Sequence, residues 1–200
     1  MRVYFIRHGE SVANLQKVMA GQTNIPLTAL GREQAERVGS YLQKIPFDKV
    51  YASDLGRAMD TCRLALPEAA FETDARLREI DVGELVGLSG DDCTLRFGEG
   101  HLDAREQLNF AAYGGEDRQD LLARIRAFLE DLEQKSYKYV AVFTHGGLML
   151  ALLEVIWGTP VSEDRVYRGN CMVMALEYNG EIWSLYGWNM EENSGIQKSI

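Results

Sequence analysis

The chain has 200 residues, of which 46% are hydrophobic and 26% are charged, and its formal net charge is −9 at pH 7. At about 150 residues per domain, this length predicts one domain over residues 1–200, with room for a small inserted lobe. An acidic chain is a poor general nucleic-acid binder, because such binding needs a basic surface. The most apolar segment, residues 148–157, is too short to span a membrane, so we predict no membrane association.

Three scattered cysteines bear on the compartment. Cys62, Cys93 and Cys171 form neither a CxxC pair nor a metal-ligand spacing. An odd, scattered set is typical of a reducing compartment. The chain also enters an apolar, strand-like run at residues 3–6 without the basic leader of a signal peptide. We therefore predict a cytoplasmic protein.

Short apolar runs alternate with helical patterns along the chain. The runs predict strands at residues 2–6, 49–52, 71–73 and 139–143. Apolar stripes, caps and prolines predict helices from the N-cap Thr28 to Pro46, from Asp54 to about Leu66, over 121–132 and over 147–157. Strands that alternate with helices favour an α/β fold with three layers, α/β/α, around a mainly parallel sheet.

The C-terminal part has a different pattern. Residues 172–178 and 182–188 flank Asn179-Gly180, which is the signature of a β-hairpin. Residues 84–115 are less regular and contain six glycines, so we interpret them as the inserted lobe.

Charge is unevenly distributed between these parts. Residues 1–63 carry nine Lys or Arg and six Asp or Glu, a net charge of +3. Residues 89–120 carry three basic and eight acidic residues, a net charge of −5. A basic N-terminal part in an acidic protein is consistent with an anion site, and equally with an uneven solvated surface.

Two of the three histidines stand in the same local context. His8 and His145 each follow an apolar strand and precede a glycine at the start of a helical region. Ligands bind at the carboxyl ends of strands in open α/β sheets, so neighbouring strands would bring both imidazoles to one place. We expect the glycines to let a ligand approach the backbone, and the helix N-termini to direct N–H groups at an anion. His101 lacks this context and is expected to be structural.

Further donors lie close to these histidines along the chain. Arg7 precedes His8, Asn14 follows it by six residues, and Arg57 comes just after the second strand. Arginine offers a rigid fork of donors that matches phosphate oxygens. A lone arginine is more often a surface residue, but two at strand ends favour a phosphoryl site.

Six motifs follow one another in the first 150 residues: 7–14 RHGESVAN, 27–35 LTALGREQA, 53–61 SDLGRAMDT, 77–84 LREIDVGE, 114–117 GGED and 144–147 THGG. In order and spacing they resemble the histidine phosphatase superfamily, the phosphoglycerate-mutase-like proteins, and within it the phosphatase branch. The family has Ser where this chain has Asp117.

The resemblance implies a role for several residues. His8 would be the nucleophile that becomes a phosphohistidine. Glu79 would protonate the leaving alkoxide and then activate water, with Glu10 and Asp81 as lesser candidates for the same work. The phosphoryl oxygens would be bound by donors on several elements: Arg7, Asn14, Arg57, His145 and Gly146.

Two features depart from the family. Residues 85–88, LVGL, stand where many phosphatase members have Trp-Glu-Gly and are nearer to the mutase pattern. The adjoining lobe, however, lacks the Lys and paired-Arg run with which mutases bind a carboxylated substrate. Its negative charge predicts a neutral or weakly charged leaving portion. Four side chains of the lobe could form a pocket wall or simply pack in the core: Phe97, His101, Phe110 and Tyr113. Outside the lobe, Asn170 at the start of the hairpin could face the site.

These observations predict a phosphatase that hydrolyses small phosphorylated metabolites through phospho-His8, without a metal or a cofactor. One alternative is a cofactor-dependent phosphoglycerate mutase, and another is a non-catalytic phospholigand-binding protein. A phosphoprotein phosphatase would need a peptide groove, which the sequence does not reveal.

Overall fold

A computed structural model of the chain describes residues 1–162 and 166–190. Its strands are β1 (Arg2–Arg7), β2 (Lys49–Ala52), β3 (Glu72–Thr73), β4 (Tyr139–Thr144), β5 (Val173–Tyr178) and β6 (Trp183–Trp188). They form one sheet in the order β3-β2-β4-β1-β5-β6. The first four strands of that order are parallel, whereas β5 pairs antiparallel with both β1 and β6. The predicted hairpin therefore ends a mainly parallel sheet.

The helices of the described residues are α1 (Val12–Gln16), α2 (Ala29–Leu42), α3 (Gly56–Ala65), α4 (Gly90–Phe97), α5 (Gly100–Glu106), α6 (Arg118–Glu133) and α7 (Gly146–Trp157). Short 3₁₀ turns occupy Ala75–Leu77, Gly83–Leu85 and Ala111–Tyr113. None of these helices is long and apolar enough to cross a membrane.

The central strand β1 shows how the layers arise. Successive side chains of a strand point to opposite faces of the sheet. Val3 and Phe5 belong to the apolar cluster that contains the buried residues of α6 and α7, whereas Tyr4 and Ile6 belong to the cluster of α2 and α3. Both faces of the sheet are thus covered by helices, and the predicted three-layer α/β fold is confirmed.

Helix ends differ from the predicted ones by a few residues. Thr28 is the N-cap of α2, as predicted, and its Oγ1 accepts a hydrogen bond from the Gly31 N–H at 3.0 Å. α2 ends at Leu42, before the predicted stop at Pro46. α3 begins at Gly56 rather than at Asp54, because the chain stays extended at its N-cap Leu55, with φ −77° and ψ 131°.

Residues 84–115 pack on the main layers. Cys93, Ala104, Leu108 and Phe110 are buried in the same apolar cluster as α6 and α7. The segment is also joined to the loop after α1, since Met19 exchanges backbone hydrogen bonds with Leu88 and Gly87. The division into one domain of residues 1–200 with a lobe at 84–115 stays a prediction, as does the cytoplasmic location.

Candidate active site

His8 and His145 follow neighbouring parallel strands at the same edge of the sheet. Arg7, the last residue of β1, is in register with Thr144, the last residue of β4. The His8 N–H donates to the Thr144 carbonyl at 3.0 Å, which holds the two strand ends together. The imidazole centroids are 5.2 Å apart, and both rings are buried. The structure therefore brings the two histidines to one place.

The hydrogen bonds of His8 define which ring nitrogen can react. Nδ1 lies 2.7 Å from the carbonyl oxygen of Gly9, so Nδ1 carries the proton and donates it. Nε2 keeps its lone pair and accepts a 3.3 Å hydrogen bond from Nε of Arg57. Burial, followed by the charges of Arg57 and Arg7, lowers the pKa of His8 well below its ordinary value. The ring is neutral near pH 7, with a nucleophilic nitrogen beside two guanidinium groups.

Arg57 is fixed in place by backbone carbonyls. Its side chain is only 1% exposed, and its two terminal nitrogens each donate at 2.8 Å, to the carbonyls of Thr23 and Gly21. Burial lowers the pKa of Arg57, and the nearby Glu79 carboxylate opposes that effect. An arginine stays charged even so, and the loop of residues 21–23 thus holds a cation against His8.

Arg7 reaches the site from the end of β1 and depends on the glycine after His145. Its Nη1 donates to the Arg168 carbonyl. A Cβ atom on Gly146 would lie 3.1 Å from Nε of Arg7, so this glycine makes room for the guanidinium group. The expectation that the glycines let a ligand approach the backbone stays a prediction. At Gly9, likewise, a Cβ atom would lie 2.2 Å from the Gly31 carbonyl oxygen.

Asn14 is oriented by hydrogen bonds to one end of its amide. Oδ1 accepts from the N–H of Ser11 at 3.1 Å, from its hydroxyl at 3.0 Å, and from Nδ2 of Asn170 at 3.2 Å. The NH₂ group of Asn14 is thereby left to donate into the cavity that this residue lines. Asn170 also donates to the His8 carbonyl at 3.2 Å, so it braces two site residues from behind the cavity.

His145 lies deeper than His8. Its side chain is fully buried, and Nε2 lies 2.9 Å from Oγ of Ser53. Burial, then the charge of Arg57, lowers the pKa of His145 well below its ordinary value. Neither His145 nor Gly146 is among the residues that line the cavity. Sequence reasoning did not assign Ser53 a role, although it opens the SDLGRAMDT motif.

Glu79 lies on the cavity wall with its carboxylate at the N-terminus of α7. Oε1 accepts from the N–H groups of Ile80 at 3.0 Å and Leu148 at 3.1 Å, and Oε2 accepts from Gly147 at 3.2 Å. The expectation that this helix directs its N–H groups at a phosphate is therefore wrong for Gly147 and Leu148, and it stays a prediction for Gly146. The partial positive charge of the helix end instead orients a carboxylate.

A second arginine holds the backbone under Glu79. Arg124 on α6 donates to the carbonyls of Arg76 at 2.6 Å, Arg78 at 2.8 Å and Glu79 at 3.3 Å. The same guanidinium group pairs with both oxygens of Glu116, at 2.6 and 3.0 Å. Sequence reasoning missed Arg124, although Glu116 belongs to the GGED motif.

The carboxylates of Glu10 and Asp81 accept hydrogen bonds from neighbouring groups outside the cavity lining. The Glu10 carboxylate accepts from the Thr28 hydroxyl at 2.7 Å, and the Asp81 carboxylate accepts from the Gly83 N–H at 3.0 Å. Neither residue lines the cavity. Their geometry therefore favours Glu79 over both of them as the acid.

The cavity has a volume of about 420 Å³ and a cationic wall. Its charged lining residues are one carboxylate and five cations: Glu79, Arg7, Lys17, Arg57, Arg105 and Arg168. Residues 89–120 are all described, and none of their acidic side chains lines the cavity. The expectation of a neutral or weakly charged leaving portion was based on the net charge of the lobe, and the lining of the cavity does not support it.

The apolar wall of the cavity contains only one of the four lobe residues that the sequence suggested for it. Of the four lobe side chains named as wall or packing, Phe110 lines the cavity. Phe97 and Tyr113 pack edge to face, with centroids 5.3 Å apart. His101 is fully buried, with Nδ1 2.9 Å from the Gly98 carbonyl oxygen, which fits the structural role expected for it. Within the described residues, no group of three or more His, Cys, Asp or Glu side chains is placed to hold a metal ion.

Comparison with known proteins identifies the family. The model of the histidine phosphatase superfamily (branch 1) matches residues 3–191. The chain belongs to this superfamily. A protein named "Probable phosphoglycerate mutase GpmB" from Enterobacter sp. (strain 638) is 32% identical over 199 residues, covering 96% of this chain and 91% of that protein. The protein of the same name from Escherichia coli O1:K1 / APEC is 32% identical over 207 residues, covering 98% and 94%.

Solved structures of this superfamily fold resemble the chain over almost its whole length. A mycobacterial glucosyl-3-phosphoglycerate phosphatase, in complex with VO₃, has a TM-score of 0.85 and 31% identity, covering 95% of this chain and 99% of that one. The α-ribazole phosphatase of Shigella flexneri has a TM-score of 0.84 and 28% identity, covering 95% and 96%. The similar proteins therefore bear names of both phosphatases and mutases.

Proposed function

We propose that the chain is a phosphatase that hydrolyses small phosphomonoesters, without a metal or cofactor, through a phosphohistidine on His8. One observation supports this most strongly. The unprotonated Nε2 of a buried, neutral His8 lies beside the fixed guanidinium group of Arg57, in a cavity that Glu79 also lines. A nucleophile, a bound cation and an acid–base carboxylate are the groups that transfer of a phosphoryl group to histidine and then to water requires.

In the first half-reaction Nε2 of His8 attacks phosphorus, and the bond from phosphorus to the ester oxygen breaks. Arg7, Arg57 and the Asn14 amide bind the phosphoryl oxygens, over which the negative charge spreads. His145, whose ring centroid lies 5.2 Å from that of His8, is the fourth donor of the proposal. A protonated Glu79 gives its proton to the leaving alkoxide.

In the second half-reaction the Glu79 carboxylate takes a proton from water while the water oxygen attacks phosphorus. The bond from nitrogen to phosphorus breaks, which releases inorganic phosphate and restores neutral His8. Of the two Glu79 oxygens, Oε2 accepts one backbone hydrogen bond and Oε1 accepts two. Oε2 is thus the oxygen with room for the catalytic proton.

A phosphoglycerate mutase is the second candidate, favoured by the cationic cavity wall and by the names of two similar proteins. A mutase must keep water away from phosphohistidine long enough to return the phosphoryl group to the substrate. The two activities differ in the acceptor and not in the residues around His8. Retention of His8, Arg7, Arg57 and Glu79 also disfavours a purely phospholigand-binding protein.

The test is a panel of phosphorylated metabolites with release of inorganic phosphate measured. 3-Phosphoglycerate is included with and without the bisphosphate primer, and formation of 2-phosphoglycerate is followed in the same reaction. We expect 3-phosphoglycerate to show little isomerisation, and phosphate release to exceed it. Rapid isomerisation that depends on the primer, with negligible phosphate release, contradicts the phosphatase and supports the mutase.

A second measurement tests whether side chains, and not a metal ion, balance the charge of the phosphoryl group. Activity is expected to survive exhaustive chelation, because the proposed groups that bind the phosphoryl oxygens are Arg7, Arg57, Asn14 and His145. Vanadate, which mimics five-coordinate phosphorus, is expected to inhibit. The vanadate complex of the mycobacterial phosphatase supports this choice of probe. Loss of activity on chelation that returns with Mg²⁺ or Zn²⁺ contradicts this mechanism.

A further inference from the structure

The imidazole beside the nucleophile has a hydroxyl group as its hydrogen-bond partner. Ser53 directly follows β2 and His145 directly follows β4, and these two strands are parallel neighbours in the sheet. Both side chains are fully buried, and Oγ of Ser53 lies 2.9 Å from Nε2 of His145. The ring centroid of His145 lies 5.2 Å from that of His8. A hydroxyl group can donate or accept, so this contact alone leaves the proton of His145 unassigned.

A second hydrogen bond decides the direction of the first. The Leu55 N–H donates to Oγ of Ser53 at 3.3 Å, at the start of α3. Within the described residues, Oγ of Ser53 has no third partner. If Oγ also accepted a proton from Nε2 of His145, the buried hydroxyl hydrogen would have no acceptor, which costs free energy. The hydroxyl group therefore donates its hydrogen to Nε2.

The single proton of neutral His145 is then on Nδ1. Burial holds the pKa of His145 well below its ordinary value, so the ring carries one proton near pH 7. Because Nε2 accepts from Ser53, that proton is bound to Nδ1. Among the residues that the structure describes, Nδ1 of His145 and Nε of Arg7 are buried without a hydrogen-bond partner. Two unpartnered donors thus belong to the residues around His8.

A phosphoryl group on His8 supplies the acceptor that these donors lack. Its oxygens carry negative charge and accept hydrogen bonds, so an N–H at Nδ1 of His145 attracts them. A lone pair at the same atom repels them. The tautomer of His145 therefore determines whether the ring stabilises the transferred group or opposes it.

We propose that Ser53 is a positioning residue that holds His145 in the tautomer with its proton on Nδ1, so that His145 meets the phosphoryl group as a donor. This inference rests on the proposed function and deepens it at one side chain. Ser53 does not line the cavity. It therefore acts through His145 and not on the substrate.

The tautomer is measured by nuclear magnetic resonance on the full chain with nitrogen-15 in its histidine rings. The chain has three histidines, so His8→Gln and His101→Gln assign the signals of His145 by elimination. Couplings to the carbon-bound ring protons distinguish Nδ1 from Nε2, and the nitrogen shifts show which of them is protonated. We expect ligand-free wild type near pH 7 to carry the His145 proton on Nδ1. A proton on Nε2 overturns the proposal.

Ser53→Ala removes the hydroxyl group that donates to Nε2. We expect the ring of His145 to be no longer held in one tautomer, so that the form with its proton on Nε2 appears. We expect kcat/KM to fall by about tenfold, and equally for alkyl and aryl esters, because both share the phosphoryl group. A loss confined to alkyl esters would place the effect at the acid Glu79 and overturns the proposal.

Thr144→Val is the matched control. Thr144 precedes His145 and is fully buried, but its Oγ1 donates to the Leu77 carbonyl at 2.8 Å and not to the ring. The variant removes a buried hydroxyl group next to His145 and should leave the proton on Nδ1. The same change of tautomer in this control as in Ser53→Ala overturns the specific role of Ser53.

The two readouts separate a positioning role from a structural one. An unchanged tautomer in Ser53→Ala overturns the proposal even if activity falls. Wild-type kcat/KM in a variant whose tautomer has changed overturns the donor role of His145. The resonance measurement needs no turnover, so it is independent of the proposed function. If wild type hydrolyses no ester, the phosphatase fails, yet a proton on Nδ1 that depends on Ser53 still supports the positioning role.

Discussion

The two ends of the cavity differ in how their cations are held. At the phosphoryl end, Arg57 is buried and both of its terminal nitrogens donate to backbone carbonyls. At the open side of the cavity, the lining residues Lys17 and Arg105 are exposed. Fixed donors are preorganised for a charge that develops during reaction. The comparison therefore favours the buried end as the place of the proposed chemistry.

Loss of the nucleophile should give the largest effect. His8→Gln keeps a polar side chain of similar size but cannot form a phosphohistidine. We expect kcat to fall by about 10⁴-fold or more for every ester. His101→Gln, at the buried histidine outside the site, should retain turnover. Near-wild-type phosphate release by the His8 variant would contradict the account, because the buried end of the cavity would then not contain the nucleophile.

Glu79→Gln should show which step needs a proton. The amide keeps the shape of the side chain but removes the acid. Alkyl esters, whose alkoxide needs protonation, are expected to slow by about 10²-fold, and aryl esters less in the phosphorylation of His8. Glu10→Gln is the matched control, since Glu10 does not line the cavity. Equal slowing of both ester classes, with normal hydrolysis of phosphohistidine, removes Glu79 as the leaving-group acid.

Arg124 tests whether Glu79 must be held in position, because it binds the backbone beneath Glu79 without lining the cavity. Arg124→Met removes its hydrogen bonds to three carbonyls and to Glu116. We expect kcat for alkyl esters to fall by about tenfold, with KM little changed and aryl esters less affected. Arg126→Met, at an exposed position of the same helix, is the control. A uniform loss for both ester classes, or a raised KM alone, contradicts a positioning role.

The pH dependence of stability should show the smallest effect. Burial first, then nearby cations, lowers the pKa of His8 and of His145 well below the ordinary 6.5. The folded protein keeps both rings neutral, whereas the unfolded chain protonates them below about pH 6.5. The free energy of unfolding should therefore fall as the pH falls, with each histidine contributing a slope of up to about 1.4 kcal/mol per pH unit.

His8→Gln removes one of these titrating groups. We measure the free energy of unfolding in urea, without phosphate, between about pH 5 and 6. Its slope against pH should be shallower in this variant than in wild type, because one fewer group takes up a proton on unfolding. Parallel curves for the two proteins contradict a neutral, buried His8.

The sequence predicted the fold and the residues around His8 because both depend on local patterns. Apolar runs located the strands, and strand–His–Gly contexts implied that the two imidazoles meet at one sheet edge. Helix ends such as Leu42 were misplaced, since no strong stop precedes Pro46. The hydrogen bonds of Arg124 to backbone carbonyls and the contact between Ser53 and His145 join residues 45 or more positions apart, and no short motif encodes them.

The charge of the cavity wall could not be predicted from the net charge of the lobe. The lobe is acidic overall, yet the side chain it contributes to the charged wall is that of Arg105. The close neighbours of the glycines after the two histidines could not be predicted from the sequence either. At Gly146 the close neighbour is the Arg7 guanidinium, which only the folded chain brings there.

The most direct test of the central claim is to trap the phosphoenzyme. Wild type is quenched during turnover of a phosphomonoester, and the acid-labile phosphoryl group is located by mass spectrometry on peptides kept at alkaline pH. We expect it on Nε2 of His8, to be absent from His8→Gln, and to accumulate in Glu79→Gln with an aryl ester. A phosphoryl group on His145, or turnover with none on His8, would contradict the account.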